Sequence, residues 1–534
     1  MRRSRSLCLF VGILMLLAAC SPVEEGDSET ESDELRAGEA RDGGELVIAL
    51  AEEPDALDPS IARTFVGRIV FASICEKLYD VDENLEIVPQ LAAELPEVSE
   101  DGLTVTIPLR EGVTFNDGTE FNADAVKTTF ERHLSIADSA RASEIASIKN
   151  IEVVDDLTVE LTLSEPFTPL TAALADRSGM IMSPQQIDAL GADFADEPVC
   201  VGPFQFVERR AQDRIVVEKS DEYYNADEVH LDRVVYRVII EPNVRLSNLR
   251  SGDVDVAERI AATDVATLED DDAFQLTEAT SIGYQGISVN IGNADGLGEP
   301  HKPPDSALAS DDKLREAFEL SLDREAINEV VFDGQVVPAC SPISPVSPFA
   351  LEFDCPEQDL EAAKALIEES GASTPVPVEL ITNNDAESVR MGEVIQSMAK
   401  DAGFDVSVRP TEFTAALDET DAGNYETFQV GWSGRIDPDQ NIHQFQHSTG
   451  SINISGTDDP EIDRLLEEAR VEQDREARKE IYQQAIEQMH EVRGIIYLYH
   501  DKLFLGASRD VVGIEYFGDG LVRVRNAGFA QTEN

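Results

Sequence analysis

The stretch PQLAAELPEVSEDGLTVTIPLREGVTFNDGTEFNADAV, residues 89–126, carries the most specific pattern in this chain. Apolar and polar residues alternate from Leu103 to Leu109, as they do in a half-buried β-strand. A helix is predicted to begin at Asn122. Its apolar face consists of Val126, Phe130 and Leu134. The stretch therefore predicts a strand followed by an amphipathic helix.

Helix and strand patterns also alternate through the second half of the chain. Apolar residues at helical spacing precede Gly371 and Gly403, which are predicted to end two helices. Strands are expected at 376–382, 404–408 and 494–500. This alternation predicts an α/β lobe after about residue 290, close to a surface loop rich in Gly and Pro.

The length and the charge of the chain exclude several classes of protein. The chain has 534 residues, more than one hydrophobic core supports, so two or more domains are expected. It contains 106 Asp and Glu residues against 42 Lys and Arg, a formal net charge of −64. Such a chain repels phosphate backbones, which argues against a nucleic-acid partner. The acidity is more typical of a solubility device, often for a saline environment, than of a specific cationic partner.

The first twenty residues resemble the signal sequence of a bacterial lipoprotein. Three arginines precede an apolar run at 7–19, which is too short to span a membrane. The run ends in Leu-Ala-Ala-Cys at 17–20, the order found where lipoproteins are cleaved and lipidated. The resemblance implies a signal peptide at 1–19 and lipidation of Cys20. An ordinary secretory signal that contains a cysteine is the alternative.

Residues 20–43 are predicted to form a disordered acidic tether. Nine residues between Ser21 and Gly43 are acidic and few are large and apolar, so this segment has little surface to bury. The body of the protein is therefore expected outside the cytoplasm, held at the bacterial cell membrane by its lipid.

Four cysteines remain in the expected mature body: Cys75, Cys200, Cys340 and Cys355. An even number outside the cytoplasm predicts two disulfide bonds, for which three pairings are possible. The short, Pro-rich loop between Cys340 and Cys355 favours that pair and leaves Cys75 with Cys200. Buried free thiols are the alternative, and none of the spacings is typical of a zinc site.

Several short motifs accompany the run at 89–126 along the chain. They are PDALDP at 54–59, CEKLYD at 75–80, GPF at 202–204, LREA at 314–317 with LDR at 322–324, and Arg478 with Ile481 and Tyr482. In content and order, these segments resemble the extracytoplasmic solute-binding proteins of peptide/nickel/opine-type ABC importers, the family 5 class, and the run at 89–126 is the most specific match. One departure is Cys200-Val201, where the family usually has Gly-Thr before GPF.

The resemblance implies an α/β, two-lobed fold like that of periplasmic binding proteins (class II, cluster C type). By analogy, lobe I comprises about 44–80, 165–285 and a return at 505–534. An extra subdomain in this N-terminal lobe comprises about 81–164, and lobe II comprises about 286–504. Function must still be argued from the site.

The segment GWSGRIDP at 431–438 resembles a loop of the ligand cleft in this family. Trp432, the only tryptophan, offers a flat apolar wall for a ligand, and core packing is its alternative role. Arg435 stands where relatives that bind peptides carry an Asp for the peptide amino group. Its guanidinium suits a carboxylate or a phosphate instead. Asp437 is another candidate contact, although capping of the turn at Pro438 is the preferred interpretation.

The same resemblance adds five candidate ligand contacts: Arg177, Tyr284, Asn290, Thr64 and Phe65. Arg177 stands where some relatives place an arginine in the cleft. Tyr284 and Asn290 belong to a segment similar to the strand that crosses between lobes, and Thr64 and Phe65 precede the first long helix. Two cleft arginines in so acidic a protein would attract anionic ligands, unless each pairs with one of the many carboxylates.

The sequence therefore predicts a receptor rather than an enzyme. The motifs Gly-x-Ser-x-Gly, Gly-x-Gly-x-x-Gly and His-Glu-x-x-His are absent, as is a phosphate loop. His443 and His447 have the spacing of a helical metal pair, but no third ligand is placed by the sequence, so neither a metal nor a cofactor is expected.

The expected function is that of a monomer that captures an oligopeptide or a similar carboxylate-bearing solute and delivers it to an ABC permease and ATPase complex. A receptor for metal chelates with the same fold is the runner-up. A secreted hydrolase is the alternative from a different class.

Overall fold

The computed structural model describes residues 40–531 of the chain. Its α-helices are α1 (Phe65–Ile74), α2 (Ala123–Ser135), α3 (Leu170–Ala173), α4 (Pro184–Leu190), α5 (Pro242–Ser251), α6 (Val265–Glu269), α7 (Ala307–Ser310), α8 (Asp312–Leu320), α9 (Arg324–Phe332), α10 (Leu360–Ser370), α11 (Ala386–Ala402), α12 (Phe413–Asp421), α13 (Asp439–Gln446), α14 (Pro460–Val471) and α15 (Arg475–Val492). Its strands are β1 (Ala40–Arg41), β2 (Glu45–Leu50), β3 (Tyr79–Val81), β4 (Ile87–Pro89), β5 (Glu97–Val98), β6 (Thr104–Pro108), β7 (Ile148–Asp155), β8 (Thr158–Leu163), β9 (Phe204–Arg210), β10 (Arg214–Lys219), β11 (Arg233–Val238), β12 (Val256–Ala257), β13 (Phe274–Thr280), β14 (Tyr284–Val289), β15 (Val336–Pro338), β16 (Val376–Asn383), β17 (Phe404–Thr411), β18 (Thr427–Trp432), β19 (Ile495–Ser508), β20 (Val511–Val512), β21 (Glu515–Tyr516), β22 (Val522–Arg523) and β23 (Gly528–Ala530).

A twelve-stranded mixed sheet runs through the molecule. Its main strand order is β17-β16-β18-β14-β19-β12-β2-β11-β10-β9, and β13 and β15 also pair with β19. Strand β19 belongs to both halves of the sheet, since its start pairs with β14 and its end pairs with β13. The chain therefore crosses between the halves twice, at 281–283 and near His500. These crossings are cross-linked, because His500 Nδ1 bonds the Gly283 carbonyl at 2.6 Å.

Two large hydrophobic cores lie on either side of these crossings. The first contains buried residues from Leu46 to Val256 and from Leu505 to Ala527, and the second contains residues from Ile287 to Tyr499. A smaller core formed by α13, α14 and α15 adjoins the second. We call the part of the molecule packed around the first core the first lobe. The part packed around the other two cores is the second lobe. The predicted α/β, two-lobed fold is confirmed.

A separate four-stranded sheet, β5-β6-β8-β7, belongs to the first lobe. Helix α2 packs against β7 and β8, and the Asn122 side chain caps the helix by accepting from the Ala125 backbone N–H. A turn at 156–157 joins β7 to β8. Ile107, Phe130 and Leu161 are part of the first core, so this sheet shares the core of its lobe. The bounds of the extra subdomain stay a prediction.

Both pairs of cysteines form disulfide bonds. Cys75 bonds to Cys200 and Cys340 bonds to Cys355, at sequence separations of 125 and 15 residues. These are the pairs that the sequence favours. The first bond encloses the whole segment that carries the four-stranded sheet.

The predicted signal peptide, Cys20 and most of the predicted tether lie outside the described residues. The tether was expected to extend to residue 43, but Ala40 and Arg41 form β1 and pair with β23. The expected bound is therefore wrong, because the backbone is already hydrogen-bonded to the last strand at Ala40. Within residues 40–531, no helix combines the length and the apolarity that a membrane crossing requires.

Candidate functional site

The loop 431–438 lies against the first crossing between the lobes. It leaves β18 at Trp432 and enters α13 at Asp439. Gly434 has a left-handed backbone, with φ of +79°, and a Cβ atom there would lie 2.4 Å from the carbonyl carbon of Ile282. Glycine is required because it alone allows the loop to pack this closely on the crossing segment.

Asn441 holds this loop in place with both ends of its side-chain amide. Its Oδ1 accepts hydrogen bonds from Trp432 Nε1 at 3.1 Å and from the Arg435 backbone N–H at 2.6 Å. Its Nδ2 donates to the Arg435 carbonyl at 2.7 Å. Asn441 is not predictable from the sequence, since no local motif marks it and the contacts form only where α13 folds back on the loop.

The Arg435 side chain reaches from this loop to the first lobe. Its Nε lies 3.2 Å from Asp176 Oδ2, and its guanidinium covers the Trp432 ring at 4.6 Å from the ring centre. The side chain is only 10% exposed. Arg435 therefore pairs with a carboxylate of the protein, and Trp432 presents one ring face to Arg435.

Asp176 is surrounded by arginines. Its Oδ1 accepts from Arg68 Nε at 3.1 Å and from the Arg177 backbone N–H at 2.7 Å. The Arg177 Nη1 donates to the Ala62 carbonyl at 2.9 Å. The side chains of Arg68 and Arg177 are 5% and 1% exposed. We call Arg68, Asp176, Arg177 and Arg435 the arginine cluster.

The charges of the cluster shift its pKa values. Burial disfavours a charged Asp176, but Arg68, Arg177 and Arg435 outweigh burial and hold the pKa of its carboxyl well below the usual range. Burial, reinforced by Arg141, lowers the pKa of Arg177 to about 9. Burial likewise lowers the pKa of Arg435 to about 10, although Asp176 acts in the opposite direction. Guanidinium groups stay charged at neutral pH, so the cluster carries a net positive charge.

Two N–H groups of the cluster have no hydrogen-bond partner in the described part of the chain. They are Arg68 Nη1 and Arg177 Nε, and both are buried. The buried Asp176 Oδ2 likewise accepts no hydrogen bond, although it lies 3.2 Å from Arg435 Nε. A buried donor without an acceptor costs about 1–3 kcal/mol, and more when the group is charged. An oxyanion would supply the missing acceptors, so this arrangement suits an anionic ligand.

Thr64 and Phe65, at the start of α1, border the arginine cluster. The Thr64 carbonyl accepts from Arg177 Nη1 at 3.4 Å. The Phe65 ring lies 5.8 Å from the guanidinium carbon of Arg68 and 5.1 Å from that of Arg259. The structure therefore places Thr64 beside Arg177 and Phe65 beside Arg68 and Arg259, and contact of either residue with a ligand stays a prediction.

Tyr284 and Asn290 lie in packed surroundings instead. The Tyr284 ring is 3% exposed and meets the edges of Phe445 and Tyr497. Asn290 is fully buried, and its Nδ2 donates to two backbone carbonyls in the segment 423–425. The structure does not support the ligand contacts predicted for these two residues, because packing and backbone hydrogen bonds already occupy them.

Asp437 also has a structural role. Its two oxygens accept from Arg478 at 2.6 and 2.8 Å, and the pair is buried. Its Oδ1 also accepts from the Asp439 backbone N–H at 2.9 Å, which caps the turn at the start of α13. The structure supports the turn-capping interpretation over ligand contact, because both oxygens are already bonded.

His443 and His447 do not converge on a common point. Their rings stack at 4.3 Å with an angle of 12° between the planes. The His447 Nε2 faces Glu467 at 3.4 Å and Asp463 at 3.7 Å. Within residues 40–531, no group of three His, Cys, Asp or Glu side chains is arranged to hold a metal ion.

Two lobes joined by crossing strands, with a charged site between them, define the class of two-lobed solute-binding proteins. A comparison with family profiles agrees, since residues 86–453 match the bacterial extracellular solute-binding proteins, family 5 middle region. This chain belongs to that family. The predicted family is confirmed.

Relatives and solved structures support this assignment over most of the chain. The glutathione-binding protein GsiB of Pectobacterium atrosepticum is 27% identical over 500 residues, which cover 91% of this chain and 94% of that protein. The structure of AgaA from A. tumefaciens R10, in complex with agropinic acid, matches with a TM-score of 0.78 at 26% identity, covering 92% of this chain and 99% of AgaA. The oligopeptide-binding protein AppA of Bacillus subtilis, in complex with a nonapeptide, has a TM-score of 0.78 at 24% identity, with 92% and 100% covered.

Proposed function

We propose that this protein is the receptor of an ABC importer and binds a small carboxylate-bearing solute between its lobes, such as an oligopeptide or an opine-like conjugate. The arginine cluster is the observation that carries the proposal. Guanidinium groups from both lobes surround a single carboxylate and leave two buried N–H groups open. A ligand carboxylate supplies the acceptors and the negative charge that this site lacks.

The relatives support the same class of ligand. Glutathione and agropinic acid, the solutes in the names of two of them, are both carboxylic acids. Arg435 would contact such a carboxylate from the second lobe, and Arg68 and Arg177 from the first. Phe65 and the accessible part of Trp432 would contact the apolar part of the solute.

Closure of the lobes on the solute provides the mechanism. Besides the arginine cluster, other contacts join the lobes, including the apolar packing of Ile436 near Val81 and Leu85 and the stacking of Arg470 on the Phe167 ring. The Thr168 N–H donates to the Arg470 carbonyl at 2.8 Å, and Arg475 pairs with Glu86 through two bonds of 2.7 Å. An exposed ion pair contributes about 0–1 kcal/mol, whereas a solute that bridges the arginine cluster would shift the equilibrium toward the closed form. The permease would recognise the closed form.

Native mass spectrometry of the purified full-length chain tests the proposal. Denaturation is expected to release a carboxylate-bearing solute in unchanged form. Arg435→Ala is expected to weaken its binding by at least about 1.5 kcal/mol, the low end for a hydrogen bond to a charged group. Arg464→Ala, which removes an exposed arginine that pairs with Glu461 and Glu468 of its own helix, is the control.

The identity of the solute discriminates among the candidate functions. A neutral or cationic solute, or an Arg435→Ala variant with unchanged affinity, contradicts the proposal. A metal chelate would favour the runner-up, and a chemically altered solute would indicate a hydrolase.

We propose in addition that Cys20 carries the lipid that holds the receptor at the outer side of the bacterial cell membrane. The Leu-Ala-Ala-Cys order at 17–20 and the extracellular character of the family support this. Cys20→Ser is expected to move the protein from the membrane fraction to the soluble fraction. Retention of the variant in washed membranes would refute the lipid anchor.

A further inference from the structure

The arginine cluster and its surroundings contain more positive than negative charge. Arg141 adjoins the cluster, since its Nη2 donates to the same Ala62 carbonyl that Arg177 contacts. Glu144 pairs with Arg141 at 2.5 Å. Among the described residues, four guanidinium groups therefore interact with two carboxylates, those of Asp176 and Glu144.

The next shell of charges does not cancel this excess. Asp519 also acts on Arg68, but both of its oxygens are bonded to Arg523, at 2.6 and 3.0 Å. Arg523 in turn contacts Asp80, which pairs with Lys77 at 2.6 Å. These two acids and two bases balance one another. Among residues 40–531, two positive charges in the arginine cluster and its surroundings therefore have no carboxylate of their own in direct contact.

Arg68 has the most open of the three guanidinium groups on the first-lobe side, because Arg141 is bonded to Glu144 and to the Ala62 carbonyl, although the buried Nε of Arg141 has no partner among the described residues. The Arg68 Nε is bonded to Asp176, whereas its buried Nη1 has no partner among the described residues. The open Nε of Arg177 belongs to a guanidinium that already donates to the Ala62 and Thr64 carbonyls. Buried charges are normally paired and hydrogen-bonded, so both the open donors and the excess charge call for an anion.

We propose that the solute brings two negative charges to the arginine cluster, as two carboxylates or as one phosphoryl group, and that Arg68 selects for the second charge. This inference rests on the proposed function, because it requires the solute to bind between the lobes. It narrows the ligand from any carboxylate-bearing solute to a dianion. It also adds Arg68, a residue that the sequence analysis did not single out.

Small anions test this inference directly on the purified full-length chain. Glutarate, acetate and inorganic phosphate are titrated at equal ionic strength, and binding is followed by the shift in thermal unfolding and by calorimetry. Glutarate or phosphate is expected to bind about tenfold or more tightly than acetate, which corresponds to one added hydrogen bond between charged groups. The comparison of glutarate with phosphate identifies whether two carboxylates or one phosphoryl group fit.

Variants at Arg68 show where the selectivity arises. Arg68→Met is expected to abolish the preference for the dianion, and Arg68→Lys to retain part of it. Arg464→Met, the same substitution at an exposed arginine that pairs with Glu461 and Glu468 of its own helix, is expected to leave the preference unchanged. Each variant is first compared with the wild type by circular dichroism, so that loss of folding is distinguished from loss of selectivity.

The outcomes separate this inference from the proposed function. Three outcomes overturn the inference and leave the proposed receptor function standing. They are equal affinity for acetate and glutarate, an unchanged preference for the dianion in Arg68→Met, and the release in native mass spectrometry of a solute that carries one negative charge. If the purified protein releases no solute and binds none of the three anions, both the inference and the proposed function are overturned.

Discussion

Replacing Asn441 with alanine removes three hydrogen bonds from the loop 431–438. The Trp432 Nε1–H, the Arg435 N–H and the Arg435 carbonyl each lose their partner on Asn441. A hydrogen bond contributes about 1 kcal/mol net, so the variant is expected to lose about 3 kcal/mol of unfolding free energy. The loop would also loosen, because these bonds fix both the indole ring and the backbone of Arg435. The affinity for the solute is also expected to fall, because Trp432 and Arg435 belong to the proposed site.

The assay uses the fact that Trp432 is the only tryptophan of the chain. Its fluorescence therefore reports on the loop alone, whereas circular dichroism reports on the whole protein. In Asn441→Ala, the emission of the native state is expected to shift to longer wavelength. Urea unfolding measured by both signals gives the change in free energy.

Asn328→Ala is the matched control. Asn328 is also a buried asparagine of the second lobe, but its side chain accepts one hydrogen bond, from the Val336 N–H at 3.1 Å. This variant is expected to lose about 1 kcal/mol and to keep the emission of the wild type. If Asn441→Ala keeps the native emission and loses no more stability than Asn328→Ala, the positioning role of Asn441 is refuted.

Three further predictions follow from contacts that lie elsewhere. Removing the disulfide Cys75–Cys200 by serine substitution should lower the unfolding free energy by about 5 kcal/mol, and removing Cys340–Cys355 should lower it by about 3 kcal/mol, because the first bond closes a longer loop in the unfolded chain. Equal decreases in denaturant unfolding would contradict this entropic account. Burial lowers the pKa of His500 to about 4 from 6.5. The stability that its neutral form contributes is therefore present above pH 6.5 and is lost as the pH falls to about 4, by about 3 kcal/mol in total. His500→Gln should flatten the pH profile of the unfolding free energy in this range, and an unchanged profile would contradict the assignment to His500. Binding of the solute should slow hydrogen exchange at the Thr168 amide, because this amide donates a hydrogen bond to the Arg470 carbonyl of the other lobe. If the exchange rate is the same with and without the solute, this contact does not report closure of the lobes.

Much of the secondary structure follows from local patterns in the sequence. The predicted C-caps Gly371 and Gly403 both end helices in the left-handed conformation. The strand expected at 376–382 is β16, at 376–383. These elements are predictable because capping and apolar periodicity involve neighbours in the chain.

Pairing between distant strands limits the prediction of the remaining elements. The strand expected at 494–500 continues to Ser508, since β13 pairs with its second half. The tether ends earlier than expected because β1 pairs with β23. Both differences arise from strand pairs that join distant parts of the chain, which no local pattern reveals.

The predicted ligand contacts stay predictions. The sequence singled out Arg435, Arg177, Thr64 and Phe65, and the structure places Arg435 and Arg177 at Asp176, Thr64 beside Arg177 and Phe65 beside Arg68. It also singled out Asn290, whose amide binds backbone carbonyls instead. An arginine or an asparagine has the same sequence signature whether its side chain faces a ligand or a buried carbonyl.

The sequence by itself determined the α/β class, the family, the ends of several helices and the favoured cysteine pairs, because short motifs and their order carry that information. Only the tertiary structure decided that Arg68, Arg177 and Arg435 share the carboxylate of Asp176, and that Asn441 holds the loop of Trp432. The physical reason is that hydrogen bonds and ion pairs depend on distances of a few ångströms. Those distances are set where the two lobes and the helix α13 pack together, between residues that lie far apart in the chain.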